Sequence, residues 1–359
     1  METLVAAALP AGAFRAGVPL APLTTLRIGG PAASMIEVER EADVEAVAID
    51  AGRRDDAIFV LGEGSNVVIG DEGVAGLTLR MKLRGLDARR EGHRVIVDVA
   101  AGESWDALVA RAADEGWRGL ECMSGIPGLV GGTPIQNVGA YGQEVADTVT
   151  RVRAFDRAGG SFVELDRDAC RFGYRASVFK RSERWIVTSV RFELEAGESS
   201  APLRYAELLG ALGVPEGATA PLARVRETVL ALRRGKGMVL DAGDPDSVSA
   251  GSFFVNPVVE ASLLSRVEAR TGEKMPRHAV GGGRFKLAAA WLVERAGFPR
   301  GWGEGRVGVS RKHALALVNR GGASARELLA VARTIHDGVR RRFGVELEPE
   351  PVMVGCSWR

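Results

Sequence analysis

The chain predicts an α+β protein, and three observations carry that prediction. Strand-like and helix-like stretches are mixed without the regular spacing of βαβ units, which argues for α+β lobes over a doubly wound sheet. A hairpin can be read directly, because Val149 to Phe155 and Phe162 to Leu165 are apolar runs joined by Ala158-Gly159-Gly160. Three glycine-rich stretches, Thr24–Ala32, Leu61–Ile69 and Ser124–Glu144, stand beside apolar runs instead of opening helices.

In chain order, Ala33–Val38 alternates as a strand does, and Glu41–Arg53 has the helical spacing of Val44, Val47 and Ala48. Ala57–Val60, Gly76–Arg80 and Arg94–Val99 read as strands. Ser104 has the position and chemistry of an N-cap for a helix Trp105–Glu115 that Gly116 ends. After the long glycine stretch and the hairpin, Arg184–Leu194 is a further strand. From Ala201 to Gly235 the pattern turns helical, with arginines and a lysine at its C-terminal end, where the helix dipole favours them. Ser252–Val259 reads as a strand, Glu260–Arg270 and Phe285–Ala296 as helices, and Ala314–Val318 as a strand before Gly321-Gly322. Ser324 caps a helix through about Phe343, and Val352–Val354 closes the pattern. The change in composition near residue 200 marks a domain boundary.

Composition narrows the class. The 359 residues suffice for two or three domains, and 46% hydrophobic with 26% charged residues is ordinary for a soluble protein. A net charge of +1 gives no global attraction to nucleic acid or a membrane surface. Cys122, Cys170 and Cys356 form no CxxC pair, and the four histidines are scattered, so no metal site and no disulfide framework is expected. Met1–Pro10 is Ala-rich but lacks the basic start of a signal peptide and reads as a loose N-terminus. No apolar run approaches the roughly 20 residues of a membrane span. The expectation is a cytoplasmic protein.

Ser124–Glu144, SGIPGLVGGTPIQNVGAYGQE, organises the rest. A flexible linker would carry serine and charge. This stretch instead sets glycines among the apolar anchors Ile126, Leu129, Val130, Ile135, Val138 and Tyr141. Gly125, Gly128, Gly131, Gly132 and Gly139 let backbone approach a ligand, and successive amides in such turns bind phosphate oxygens. Taken alone, the stretch reads equally well as a buried, kinked connection. LGEGSNVVI (Leu61–Ile69) is strand, glycine turn, polar Ser65-Asn66, then strand, and TTLRIGGPA begins at Thr24. Neither a helix-opening GxGxxG nor a Walker lysine is present, so Rossmann and P-loop readings fail. Three such loops imply a long cofactor held by backbone amides.

LGEGSNVV, SGIPGLVGGTPIQNVGAYGQE, CRFGYRASVFK (Cys170–Lys180), AGSFFVNPVV (Ala250–Val259) and LEPEPV (Leu347–Val352) occur in this order. With them the chain closely resembles the UDP-N-acetylenolpyruvoylglucosamine reductase family, from about Leu23 to Val352. The resemblance implies a vanillyl-alcohol-oxidase-like FAD-binding fold of two α+β subdomains, residues 1–82 and 83–200. It also implies a substrate-binding α+β domain over 201–359. It implies non-covalent FAD, NADPH as co-substrate, and small-molecule partners only; a monomer is expected. The positions matching the family's cofactor contacts are Arg27, Gly62, Gly64, Ser65, Asn66, Ser124, Gly125, Ile126, Gly128, Gly131 and Tyr141.

The chemistry-bearing residues read differently alone and in the light of that resemblance. Arg175, flanked by Phe172, Tyr174 and Phe179, would ordinarily be an ion-pairing arginine in an apolar strand. The resemblance makes it the active-site arginine, whose planar fork suits an enolpyruvyl carboxylate. Ser252 would ordinarily be a turn residue, and no GxSxG elbow surrounds it. The resemblance makes it the general acid that protonates C2 after hydride reaches C3 from NADPH through FAD. Glu350, rigidly placed between Pro349 and Pro351, becomes the glutamate that stabilises the enol form, while Glu348 stays solvated. Tyr141, Tyr174, Tyr205, Asn256, Lys286 and His313 fall where relatives contact substrate, with Tyr205 matching a loop tyrosine that closes over it. No His or Cys lies inside the glycine loops; Cys122, at the edge of one, is the single candidate tether to flavin. The alternatives are an FAD-dependent oxidase acting on an alcohol or sugar, which would need neither Ser252 nor Glu350, and a flavin-bound protein without turnover.

Overall fold

The computed structural model describes residues 13–358, so Met1–Pro10 lies outside the described residues. The chain forms two compact units. Unit 1 takes the N-terminal strand up to Val18, then Ala32–Glu63 and Ala75–Arg234; unit 2 takes Pro19–Pro31, Gly64–Val74 and everything from Gly235 onward.

Among its described residues, unit 1 holds two larger sheets and a short antiparallel pair, Gly139–Ala140 with Gln143–Glu144. The first has the strand order Arg15–Pro19, Pro31–Val38, Val74–Met81, Ile58–Leu61, with the last two parallel. Helix α1 (Glu41–Arg54) buries Val44, Val47, Ala48 and Ala51, the helical spacing visible in its sequence. The second sheet is antiparallel, in the order Ser161–Asp166, Val149–Asp156, Trp185–Ala196, Arg94–Ala100, Leu86–Glu91. The hairpin turns at Gly160, whose N–H donates to the Asp156 carbonyl at 2.7 Å, and Phe155 meets Phe162 edge-on across it. Strict alternation buries Val95, Val97 and Val99 in one strand and Val190, Phe192 and Leu194 in its partner, which sets their register. Helix α2 (Trp105–Asp114) is capped by the Ser104 hydroxyl, which accepts from the Ala107 N–H, and its Trp105 is fully buried against Phe192. Burying one such side chain contributes on the order of 2–3 kcal/mol. Helices α3 (Ala206–Leu212) and α4 (Leu222–Gly235) form a satellite core of Leu208, Leu209, Leu212, Val225 and Val229.

Unit 2 has a sheet of Ser249–Ser252, Ala316–Asn319 and Val307–Val309, and a second of Val258–Glu260, Arg284–Leu287 and Arg277–Ala279. A parallel pair joins Val352–Val354 to Val67–Ile69. Its helices are α5 (Ala261–Thr271), α6 (Ala289–Arg295) and α7 (Ala325–Phe343). The last opens with a capping box of Ser324 and Glu327 and buries Leu328, Ala332, Ile335, Val339 and Phe343 on one face. Two sequence expectations change here. Of the strand expected over Ser252–Val259, only Ser252 and Val258–Val259 lie in strands: the Phe253 and Val255 N–H groups donate to the Leu315 and Glu348 carbonyls, and Pro257 has no N–H to donate. The helix expected from Phe285 starts at Ala289, since Phe285, Lys286 and Leu287 are paired in a sheet. No described helix is long and apolar enough to cross a membrane.

Candidate functional site

In unit 1 the long glycine stretch is held in shape by the protein itself. Gly125 (φ 71°) and Gly128 (φ 134°) bracket Pro127, and the second conformation is one that side-chain-bearing residues avoid. The Gly125 N–H donates to Asp106 Oδ1 at 2.6 Å, and Asp106 is gripped through both oxygens by Arg226 of α4 at 2.7 and 3.0 Å. The Gly128 N–H donates to Glu63 Oε2 at 2.9 Å. Gly131 donates to the Ala101 carbonyl, and a Cβ there would stand 2.5 Å from Ala101 Cβ, so the close packing at this position requires glycine. The buried Ser124 hydroxyl donates to the Glu121 carbonyl at 2.7 Å. Gly62 touches the same loop, since a Cβ on it would lie 3.3 Å from Leu129 Cδ1.

Electrostatics differ between the two carboxylates that hold the loop. Burial would raise Asp106, but the hydrogen bonds from Arg226 and Gly125 outweigh it and hold the carboxyl below its usual range. Burial wins at Glu63 and raises it. Ile126 and Leu129 are half-buried and packed on the main core, and Gly132 is exposed with nothing within 4 Å of its missing Cβ. The amides of Gly125, Gly128, Val130, Gly131 and Gly132 all donate within the protein, so they shape the loop and are not the phosphate donors expected from the sequence. A preformed loop with half-exposed apolar side chains suits an extended, partly aromatic ligand such as FAD.

The segment carrying Arg175 docks on the same stretch. Arg175 donates through its two terminal nitrogens to the carbonyls of Asn137 (3.3 Å) and Gly139 (2.8 Å), and its guanidinium lies 5.5 Å from the ring centre of exposed Tyr174. Tyr141 (φ 48°) stacks edge-on with Tyr205, ring centres 5.3 Å apart. Tyr205 is exposed and precedes the first turn of α3. Burial pushes the Tyr141 phenol up to about 12, opposed by the nearby charge of Arg233. Cys122 is fully buried; desolvation, then Glu121, raise its thiol, so it has little thiolate with which to react.

In unit 2 the structure brings Ser252, Glu350 and Asn66 together. Ser252 ends its strand half-buried, opposite Ala316. The next residue, Phe253, accepts at its carbonyl from the Glu350 N–H at 2.8 Å, and Phe254 is bridged to Pro349. The Val352 N–H donates to the Asn66 carbonyl at 3.0 Å. Glu350 is half-buried while Glu348 is exposed, the contrast expected from the sequence. Gly64 accepts at its carbonyl from the Thr25 N–H, which joins the LGEGSNVV and TTLRIGG stretches; Ser65 is half-buried and Arg27 is exposed at φ 52°. Asn256 accepts through Oδ1 from the Ala289 N–H at 2.9 Å and so caps α6. Lys286 lies in the middle strand of the three-stranded sheet, paired with both Val258 and His278. His313 Nδ1 accepts from the Leu315 N–H at 3.1 Å.

Asp106, Glu63, Asn137 and Arg233 escaped the sequence reading. An aspartate in the first turn of a helix is ordinarily explained by the dipole, and nothing in its neighbourhood points to Gly125. Arg233 was readable as one of several basic residues at a helix end; only the structure shows it buried, with its charged form disfavoured by desolvation.

Residues 32–166 match the FAD binding domain family. With the preformed glycine loop, that makes the chain an FAD-containing oxidoreductase of α+β fold. Residues 244–354 match the family described as UDP-N-acetylenolpyruvoylglucosamine reductase, C-terminal domain. The chain is 49% identical over 351 residues to the UDP-N-acetylenolpyruvoylglucosamine reductase of Thermobifida fusca, covering 96% of this chain and 99% of that one. It is 50% identical over 347 residues to the reductase of Streptomyces coelicolor, covering 94% and 90%. It is also similar to the crystal structure of UDP-N-acetylenolpyruvylglucosamine reductase from Thermus caldophilus, with a TM-score of 0.66 at 27% identity over 95% of this chain and 99% of that one. The chain belongs to the UDP-N-acetylenolpyruvoylglucosamine reductase family.

Proposed function

We propose that the protein reduces the enolpyruvyl group of UDP-N-acetyl-3-O-enolpyruvylglucosamine to give UDP-N-acetylmuramate, a step of bacterial peptidoglycan precursor synthesis. NADPH is the reductant and FAD is held non-covalently, a reading supported by the buried, thiolate-poor Cys122. Arg27, Gly62, Gly64, Ser65, Asn66, Ser124, Gly125, Ile126, Gly128, Gly131 and Tyr141 are the residues assigned to the cofactor. The chemistry that FAD supplies when bound is passage of a hydride equivalent from NADPH to an electron-poor carbon.

The chain's own residues handle the charge and the proton. Hydride addition at C3 of the enolpyruvyl group moves the C2=C3 electron pair onto C2 and its carboxylate. Arg175 meets that growing charge with a planar, permanently cationic fork. Glu350 stabilises the enolic oxygen, and the Ser252 hydroxyl delivers the proton to C2, which completes a two-electron, two-hydrogen reduction. Tyr141, Tyr174, Tyr205, Asn256, Lys286 and His313 are assigned to the UDP-sugar. Asn256 would do so as a residue that also caps α6. We place the enzyme in the cytoplasm, as a monomer acting on small molecules, and divide it into residues 1–82, 83–200 and 201–359.

The observation that carries this reading is the seating of Arg175. Its guanidinium is oriented by two carbonyls of the glycine-rich stretch, Asn137 and Gly139, as preorganised catalysis requires. Arg175→Lys keeps the charge and loses the fork. Its kcat should fall by at least about a hundredfold, since removing one preorganised charge partner costs roughly 3 kcal/mol. Flavin content and melting temperature should stay close to those of the parent protein. Normal turnover with a collapsed melting temperature would assign Arg175 to the scaffold.

A further inference from the structure

The segment around Arg175 is held in a backbone conformation that its own sequence disfavours. Arg175 sits at φ 52° and Asn137, whose carbonyl accepts from it, at φ 45°. Asparagine tolerates the left-handed region, whereas a long arginine side chain is rarely found there. Something must therefore hold Arg175 in place. Lys180 does so most directly, because its ammonium donates to the Arg175 carbonyl at 2.7 Å. Around that bond, the Ser177 hydroxyl donates to the Ile135 carbonyl at 2.7 Å. The Asn137 amide donates to the Gly173 carbonyl at 3.1 Å and accepts from the Ala146 N–H at 3.0 Å. Gly173 and Ala176 close the turn by exchanging both backbone hydrogen bonds.

We propose that Lys180 is a positioning residue for the reaction: by gripping the Arg175 carbonyl it fixes the left-handed turn from which the Arg175 guanidinium reaches the Asn137 and Gly139 carbonyls. The inference rests on the assignment of Arg175 to the substrate carboxylate. A charged donor is used because its hydrogen bond to a carbonyl is stronger than a neutral one. Without it, Arg175 relaxes toward ordinary backbone angles and its fork swings away from the direction set by the loop. Lys180 itself touches no reacting atom in this account, so its whole effect must pass through Arg175.

The test is a double-mutant cycle on FAD-loaded protein with Lys180→Met, Lys180→Arg, Arg175→Lys and the double variant Lys180→Met/Arg175→Lys. Three quantities are read: the rate at which enolpyruvyl substrate reoxidises reduced flavin, calorimetric affinity for UDP-N-acetylmuramate, and melting temperature. Lys180→Met should slow reoxidation and weaken product binding by roughly tenfold or more, the effect of one lost charged hydrogen bond. Lys180→Arg should recover most of both. In the Arg175→Lys background, Lys180→Met should change neither by more than about twofold, because coupled residues are non-additive. Equal factors in both backgrounds, or no effect in the parent, would overturn the proposal while leaving Arg175 assigned. Parent-like reoxidation by Arg175→Lys would overturn that assignment and this inference with it. If Lys180→Met does not accumulate, Lys180→Gln, which keeps a neutral donor, enters the same cycle under the same criteria.

Discussion

Replacing Asp106 with alanine tests whether the glycine loop is held in advance for its cofactor. The carboxylate accepts from the Gly125 N–H and from both terminal nitrogens of Arg226, so one substitution removes three charged hydrogen bonds. Side-chain exposure is 36% for Asp106 and 17% for Arg226, between a surface pair and a buried one. Exposed pairs contribute about 0–1 kcal/mol and breaking buried ones costs about 3–5 kcal/mol, which puts Asp106→Ala at roughly 2–3 kcal/mol. For a domain of 150–250 residues each kcal/mol moves Tm by about 2–4 °C, so a fall of roughly 4–12 °C is expected. The Gly125 turn should loosen as well, and the protein should leave gel filtration with sub-stoichiometric FAD that added FAD restores. Asp106→Asn keeps an acceptor for Gly125 and loses only charge, so its flavin content should lie between those of the parent and the alanine variant. The assay is thermal denaturation with flavin absorbance, with and without added FAD. Unchanged Tm and full flavin in Asp106→Ala would refute the idea that this pair holds the loop.

Two further outcomes are expected. Ser252→Ala should slow substrate-dependent flavin reoxidation by about two to four orders of magnitude, the range for a lost general acid, with little change in flavin reduction by NADPH. Equal slowing of both half-reactions in stopped flow would make Ser252 structural. Asp156 is held at about 2, first by its hydrogen bond from Arg184, well below an ordinary aspartate near 3.9. A depressed folded value stabilises the protein above the unfolded value, and that stability is lost as pH falls from about 4 toward 2. Asp156→Asn should therefore be less stable than the parent at pH 7 and converge with it in acid. A gap in unfolding free energy that stays constant with pH would contradict this.

Much of the architecture was legible because local chemistry and tertiary structure agree. Ser104 and Ser324 cap the helices assigned to them, and the hairpin turns at its glycines. The helix expected from Phe285 failed because a short apolar run has no decisive period, and pairing with Val258–Glu260 claimed its first residues. At the candidate site, glycines and apolar anchors were readable, whereas the groups that hold them were not. Asp106 meets Gly125, Glu63 meets Gly128 and Lys180 meets the Arg175 carbonyl through backbone atoms, which carry no residue-type signal. The proximity of Ser252 to Glu350 likewise depends on backbone pairing between segments far apart in sequence.

Purified protein should be yellow and release intact FAD on denaturation. Supplied with NADPH and UDP-N-acetyl-3-O-enolpyruvylglucosamine under anaerobic conditions, it should consume both in equal amounts and form UDP-N-acetylmuramate, followed by mass spectrometry and loss of NADPH absorbance. Protein that binds no FAD, or that turns over only with oxygen and an alcohol or sugar while leaving the enolpyruvyl compound untouched, would contradict the account.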